Sequence, residues 1–416
     1  MKIISFFLPS PIYGGTEILM IRLAEYLSKD YKINIYTKAK SYIAMSYVPI
    51  NNITIKYDLG QVNNDFFIIS SKYLLDLYNN IKNKDIDIFI WQLQPIELIT
   101  QFFPARRFNK EIKIYNKLID KLYRPRRELL AHLLKEYYNE NKLFFMDSDN
   151  YNTSNKYLGL NLDEINYIPV AVPFESIHLE DRPKINKNLT FCVVSRISYD
   201  FKFYSILNFI KSLEKYIISK KISINLEVVG SGDALNELIT YAEQSKINFT
   251  FHGIVPIDDV YKNIYPKIDI CFGMGTSLID SSKYKIPTII TNISSKHDSE
   301  YTIKYSMFYE SIGFSLGSYN NNGKRPLNEL LDEIIIDLNK HGYMCYLYAK
   351  ENHSSEIIFN KIKSIISNSR INPNLNKLSD VMDKRKNLDT IYNKIILLFR
   401  ILKNLLRKIK LNIKSE

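Results

Sequence analysis

Short apolar runs rich in β-branched and aromatic residues recur along the chain, each giving way to a turn and then to apolar positions three and four apart. The first run, Lys2–Leu8, predicts a buried parallel strand. The turn-rich stretch Ser10–Glu17 follows, then a helix from about Thr16 to Ser28 with Leu19, Leu23 and Leu27 on one face. Ile33–Thr37, Asp85–Trp91, Ile112–Tyr115 and Leu143–Met146 predict further strands, and Tyr123-Arg124-Pro125-Arg126-Arg127 a basic loop ahead of a helix. Between Lys38 and Lys84 the pattern allows strand fragments and one helix. The second half alternates more clearly, with strands at Leu189–Ser195, Ile224–Val229, Asn248–His252, Ile268–Phe272 and Thr288–Thr291. Helices start between them near Phe203, Ala234, Ile257 and Ser277, and Pro326–Lys340, Tyr343–Asn352 and Ser354–Ile366 also read as helical. Such alternation implies parallel sheets with right-handed crossovers, hence an α/β fold.

Proline and polar residues mark the boundaries. Residues 1–174 form one expected domain, 175–188 a linker and 189–370 a second domain. Residues 371–416 make a polar connection and a last helix. In that helix Ile391, Ile395, Leu398, Leu402, Leu405 and Ile409 draw an apolar stripe, with Arg400, Lys403, Arg407, Lys410 and Lys414 on other faces. An amphipathic cationic helix of this kind suits an anionic membrane surface, a partner helix or the protein's own core.

The chain has 416 residues and a net charge of +12. From Asp383 to Glu416 there are ten Lys/Arg against three Asp/Glu, so more than half of the excess sits in the tail. The body is only mildly basic and the tail lacks interleaved aromatics, which argues against a nucleic-acid partner. Cys192, Cys271 and Cys345 are far apart and show no metal-binding spacing, which fits a reducing compartment. No apolar run reaches the length of a spanning helix. The opening run stops at Pro9 and Pro11 before any cleavage signal, so a cytoplasmic protein is expected.

Three strand exits carry candidate chemistry. Ser195-Arg196 with Lys202 offers a bidentate fork and a mobile point charge to one diphosphate. Gly230-Ser231-Gly232 permits close backbone approach, and Gly273-Met274-Gly275-Thr276-Ser277 opens a helix whose N–H groups suit phosphate and whose Thr276 or Ser277 can cap it. Asp280 falls in the first turn of that helix, in reach of ribose hydroxyls. Phe251-His252-Gly253-Ile254 offers backbone to a base edge, with His252 itself read as structural. Gly14 and Gly15 stand before the first helix and also suit an anion. In open α/β sheets ligands bind at these edges.

Together these residues resemble the C-terminal domain of the group 1 glycosyltransferases, the large retaining GT-B family often called family 4. The likeness runs from about Leu189 to Ile366, and Lys2–Ser28 resembles that family's first strand, glycine loop and helix. The resemblance implies two Rossmann-like domains facing each other across a cleft, the first on the acceptor side and the second binding the nucleotide-sugar. By resemblance Arg196 and Lys202 bind the donor diphosphate and act as the catalytic cations. Gly14 and Gly15 close on the diphosphate, and Asp280 matches the second acidic residue of the paired-glutamate motif, which binds ribose. Gly230, Gly232, Gly253, Ile254, Gly275, Thr276 and Ser277 complete the expected donor site. The first glutamate of the motif falls at Phe272, and the histidine often found after the strand Asp85–Trp91 is missing, with Gln92 or Gln94 in its place.

The resemblance also implies transfer of a sugar to a saccharide or lipid-linked saccharide in surface-polysaccharide synthesis, with retention. No cofactor and no metal are expected, and no side chain is assigned as base, the leaving phosphate taking the acceptor proton. The tail Leu388–Ile413 would hold the enzyme at the inner face of the cytoplasmic membrane. Two alternatives stay open: a metal-dependent GT-A transferase using Asp147 and Asp149 of an Asp-x-Asp motif, and a non-catalytic scaffold recruited to membrane by the tail.

Overall fold

The computed structural model describes residues 2–11, 14–62, 66–103, 113–174, 188–199, 202–295, 298, 303–318, 323–368, 375–383, 385, 388–391 and 394. The predicted linker 175–188, except its last residue, and most of the tail helix Leu388–Ile413 lie outside them. The chain divides into two units. One comprises residues 1–146, 150–166 and 365–416, and the other residues 147–149 and 167–364.

In the first unit β1 (Ile3–Phe7), β2 (Lys32–Tyr36), β3 (Ile53–Lys56), β4 (Phe66–Ser70), β5 (Asp87–Gln92) and β6 (Leu143–Phe145) form one all-parallel sheet in the order β3-β2-β1-β4-β5-β6. Parallel strands covered on both faces read as unbroken apolar runs. That is why β1 and β5 were legible, and Trp91 of β5 is wholly buried. The connecting helices are α1 (Gly15–Leu27), α2 (Tyr42–Ser46), α3 (Leu74–Asn80), α4 (Glu97–Phe102), α5 (Lys113–Asn139) and α6 (Ser148–Leu158).

Helix α5 corrects two expectations. The stretch Lys113–Tyr115 is helix rather than strand, Ile112 lying outside the described residues, and Tyr123–Arg127 is not a loop but lies inside the same helix. Tyr123, Leu130, Leu134 and Tyr137 are fully buried at spacings of seven, four and three, so the apolar stripe runs straight through Pro125. A proline inside a helix removes one backbone bond, and here the buried stripe outweighs it. Arg126 is wholly buried, with its guanidinium beside the rings of Phe102 and Phe103 and 3.7 Å from Asp389.

In the second unit β7 (Leu189–Val194), β8 (Ile224–Val229), β9 (Asn248–Gly253), β10 (Ile270–Gly273) and β11 (Thr288–Ile290) are parallel, and the short β12 (Ser306–Met307) closes one edge antiparallel. The order is β12-β11-β10-β7-β8-β9. Its helices are α7 (Phe203–Lys220), α8 (Leu235–Ala242), α9 (Ile257–Asp259), α10 (Thr276–Ser282), α11 (Leu327–Ile336) and α12 (Leu338–His353), and α13 (Ser355–Asn368) belongs to it as far as Ser364. Cys192 and Cys271 are register partners on β7 and β10, and all three cysteines are buried and free. Strand β12 escaped sequence reading because two residues carry no period.

Candidate functional site

The strand order of the second sheet reverses at β7. Strands β8 and β9 were added on one side of it and β10 and β11 on the other, so successive crossovers leave β7 and β10 in opposite directions. The crevice outside the carboxyl ends of β7 and β10 is therefore the place where a ligand meets an open α/β sheet.

Arg196 stands two residues past the end of β7, exposed, with Nε donating to Ser198 Oγ at 3.1 Å. Lys202 is the residue before α7, and its carbonyl accepts the first bond of that helix, from Ile206. Ile197 and Ser198 between them are buried and anchor the loop.

The Gly230-Ser231-Gly232 segment explains how the loop is held. Ser195 N–H donates to Val229 O at 2.9 Å, Ile197 N–H to Ser231 O at 3.0 Å, and Ala234 N–H to Ile197 O at 3.0 Å. A Cβ on Gly230 would lie 1.8 Å from Ser195 O, and one on Gly232 2.1 Å from Ile197 O. Gly230 also has φ 129°, which favours glycine, and its N–H reaches Gly253 O at 2.7 Å across a register shift in β8–β9. The structure thus brings Arg196, Gly230, Gly232 and Gly253 to one edge. Ile254 next to Gly253 is 86% exposed, and His252 pairs with Glu227 at 2.5 Å, as a structural histidine would.

At the exit of β10, Gly275 has φ 78° and precedes α10, but its N–H donates to Leu316 O at 2.7 Å. The N–H groups of Thr276 and Ser277 open the helix and have no intrahelical acceptor. Neither side chain caps it. The cap position is Gly275, and Ser277 Oγ turns back to Met274 O at 3.2 Å. Asp280 is half-buried, accepting from the Tyr261 hydroxyl at 2.8 Å with Lys283 Nζ at 4.0 Å. Phe272, at the position of the family's first glutamate, is buried and stacked on Phe209 at 3.9 Å between ring centroids. It serves the core.

Gly14 and Gly15 belong to the first unit. Gly14 caps α1, and its N–H donates to Glu17 Oε2 at 3.1 Å. Sequence reading missed Glu17, although a carboxylate three residues after the cap is the capping-box signal. Glu17 is buried, and its other oxygen accepts from the Tyr73 hydroxyl. Gly15 and Thr16 hold the next two N–H groups of the helix. Gln92 is buried and spends its amide on Ser154 Oγ and Pro95 O, so it is not placed to touch a sugar; Gln94 is exposed.

The Asp-x-Asp reading does not hold. Asp147 and Asp149 are buried, and the two oxygens of Asp149 accept from Ser318 Oγ at 2.7 Å and Ser315 Oγ at 2.5 Å. These serines hold the loop that crosses the exits of β10 and β11, where Gly317 packs on Met274 and Ser318 N–H donates to Asn292 Oδ1.

No family model and no curated protein matches the chain. Solved structures do. The chain is similar to the lipopolysaccharide outer core galactosyltransferase WaaB at 11% identity, with 88% of this chain and 99% of that one covered and a TM-score of 0.53. Sucrose-phosphate synthase from Thermosynechococcus elongatus matches at 11% identity, 88% and 98% coverage, and a TM-score of 0.55. Anabaena HepE, in complex with UDP and glucose, matches at 11% identity, 88% and 100% coverage, and a TM-score of 0.53. The fold is GT-B. This settles the choice between architectures against GT-A, and the GT-B assignment agrees with two six-stranded sheets of matching design. Among the described residues no helix is long and apolar enough to cross a membrane.

Proposed function

We propose that the chain is a glycosyltransferase that moves a sugar from a nucleotide-diphosphate-sugar to a saccharide or lipid-linked saccharide in surface-polysaccharide synthesis. The observation that carries the reading is an exposed arginine just past β7, at the point where the strand order reverses, on a loop clamped by two glycines that nothing larger could replace. The UDP and glucose held by HepE support a donor of this class.

Departure of a nucleoside diphosphate builds negative charge on its phosphate oxygens. Arg196 and Lys202 would take that charge, Arg196 as a fork and Lys202 as a mobile ammonium, and the N–H groups of Thr276 and Ser277 would add two donors. Asp280 and the Tyr261 hydroxyl would face ribose. Gly253 and Ile254 would meet the base. No metal is required in this scheme, and retention follows if the leaving phosphate itself takes the acceptor proton. We place the enzyme in the cytoplasm, at the inner membrane face through Leu388–Ile413.

The test is a thermal-shift screen of UDP, GDP, CDP and their sugars, with and without EDTA. A nucleotide at a hundred times its dissociation constant adds about 2.7 kcal/mol of stability. We expect one base to give that shift, insensitive to EDTA and lost in Arg196→Ala. The buried Phe272 in place of a carboxylate favours a second reading, a non-catalytic scaffold, and a wild-type chain that binds no nucleotide would favour it further.

A further inference from the structure

The stretch that follows α13 reads as a polar connection, yet among its described residues Leu375, Leu378, Val381 and Met382 are buried. It belongs to the first unit and is fastened along α5 at two places. Near the carboxyl end of that helix Lys377 Nζ donates to Glu136 and, at 3.2 Å, to Glu140. Leu375 N–H reaches Ile86 O at 3.2 Å, just ahead of β5. Near the middle of α5, Asp389 accepts from the Tyr123 hydroxyl at 3.1 Å and lies 3.7 Å from Arg126 Nη1. Arg385, four residues before Asp389, donates from Nε to its other oxygen at 3.2 Å.

Arg126 sets the energetics of this contact. Its side chain is wholly buried, and all three guanidinium nitrogens lack a hydrogen-bond partner among the described residues. The rings of Phe102 and Phe103 flank it at 5.9 and 5.5 Å from their centroids, and Asp389 is the one carboxylate paired with it among the described residues. Burial pulls the guanidinium down to about 10, against the pull of Asp389, so it is still charged at neutral pH. The Asp389 side chain, by contrast, is 38% exposed. The two partners are therefore unequal. A buried charge that loses its partner is costly, whereas replacing it by an apolar group of similar volume costs little. A half-exposed carboxylate left alone returns to water.

We propose that the described residues from Leu375 to Asp389 form a strap closed on α5 by a one-sided latch, in which the Asp389 carboxylate is required and Arg126 is what requires it. Neutralising Asp389 leaves a bare guanidinium beneath the strap. Solvent begins at Asp389 itself, so the shortest way to hydrate that charge is to lift the strap, a local opening rather than global unfolding. The basic stretch 388–413 begins at the latch, so whatever binds that stretch acts first on Asp389. The latch lies wholly in the first unit and is independent of what the site in the second unit transfers.

The test is hydrogen–deuterium exchange of the full chain, read by mass spectrometry on peptides covering 375–383 and 120–130, with peptides of the second unit as reference. We expect Asp389→Asn to raise exchange about tenfold or more in both first-unit peptides and to leave the second unit unchanged. Arg126→Met should raise it by less than about threefold. Adding Arg126→Met to Asp389→Asn should restore protection to within about threefold of the wild type, since no buried charge is left to hydrate. Such restoration is an outcome that a plain packing contact could not give. Unchanged exchange in Asp389→Asn, an Arg126→Met strap as open as that of Asp389→Asn, or a double variant no better protected than Asp389→Asn overturns the proposal. Should Asp389→Asn fail to fold, the double variant decides: a folded chain with the strap protected supports the latch, and failure to fold overturns it.

Discussion

Gly232 and Gly15 make opposite demands on a methyl group. At Gly232 a Cβ would meet the Ile197 carbonyl at 2.1 Å, and the atoms it meets are all backbone, so no flexible side chain is there to yield. Gly232→Ala should displace the loop carrying Arg196, cost about 1–3 kcal/mol of stability, and weaken nucleotide binding, as thermal melts with and without UDP would show. At Gly15 nothing lies within 4 Å, and the residue opens α1. Gly15→Ala should leave the melting point unchanged or raise it by up to about 1 kcal/mol equivalent. Both glycine pairs were legible in the sequence as turn signals. Their division of labour was not, because it depends on which backbone comes near. Glu17 went unread for a related reason: its partner Tyr73 is 56 residues away.

At the scale of the element, the packing of α12 is tied to an ionisable group. His353, the last residue of that helix, is buried among Phe308, Phe314 and Tyr348, with Nδ1 against Val170 O at 3.0 Å. Burial lowers it to about 4, against the opposing pull of the Val170 carbonyl. The folded state thus holds it neutral while the unfolded chain takes a proton below about 6.5. Its contribution is complete above that value and is lost as pH falls toward 4, by about 3 kcal/mol at most. Stability measured against His353→Phe should lose its pH-dependent difference across that window. Helix α5 teaches the converse lesson about legibility. Its stripe of Tyr123, Leu130, Leu134 and Tyr137 was present in the sequence, but Pro125 and the arginines around it read more strongly as a break. Local punctuation hides a period that runs through it.

For the whole molecule, the alternation of apolar runs and amphipathic stretches was enough to place two parallel sheets, because each strand buried on both faces is apolar throughout. The same clarity failed between Lys38 and Lys84, where one short 3-10 turn precedes β4 and another follows it, and neither carries a period. The two units can be followed separately. The single tryptophan, Trp91, is buried in the first, and all three cysteines are buried in the second. Urea unfolding read by Trp91 fluorescence and by pulse alkylation of thiols should therefore report one unit each. A donor nucleotide should raise the cysteine midpoint more than the tryptophan midpoint, since Arg196, Gly230 and Asp280 all belong to the second unit. Equal shifts would count against a donor site carried by the second unit.

The clamp around Arg196 has a consequence for what the sequence must keep. Its contacts run from Ser195, Ile197 and Ala234 to Val229, Ser231 and back, all through main-chain atoms. A sequence can exchange nearly every side chain in such an edge and keep its shape, provided a few glycines are kept. This chain is 11% identical to proteins whose fold it shares over 88% of its length. What holds the shape at this edge is a path of backbone, and the side chains along it are largely free to vary.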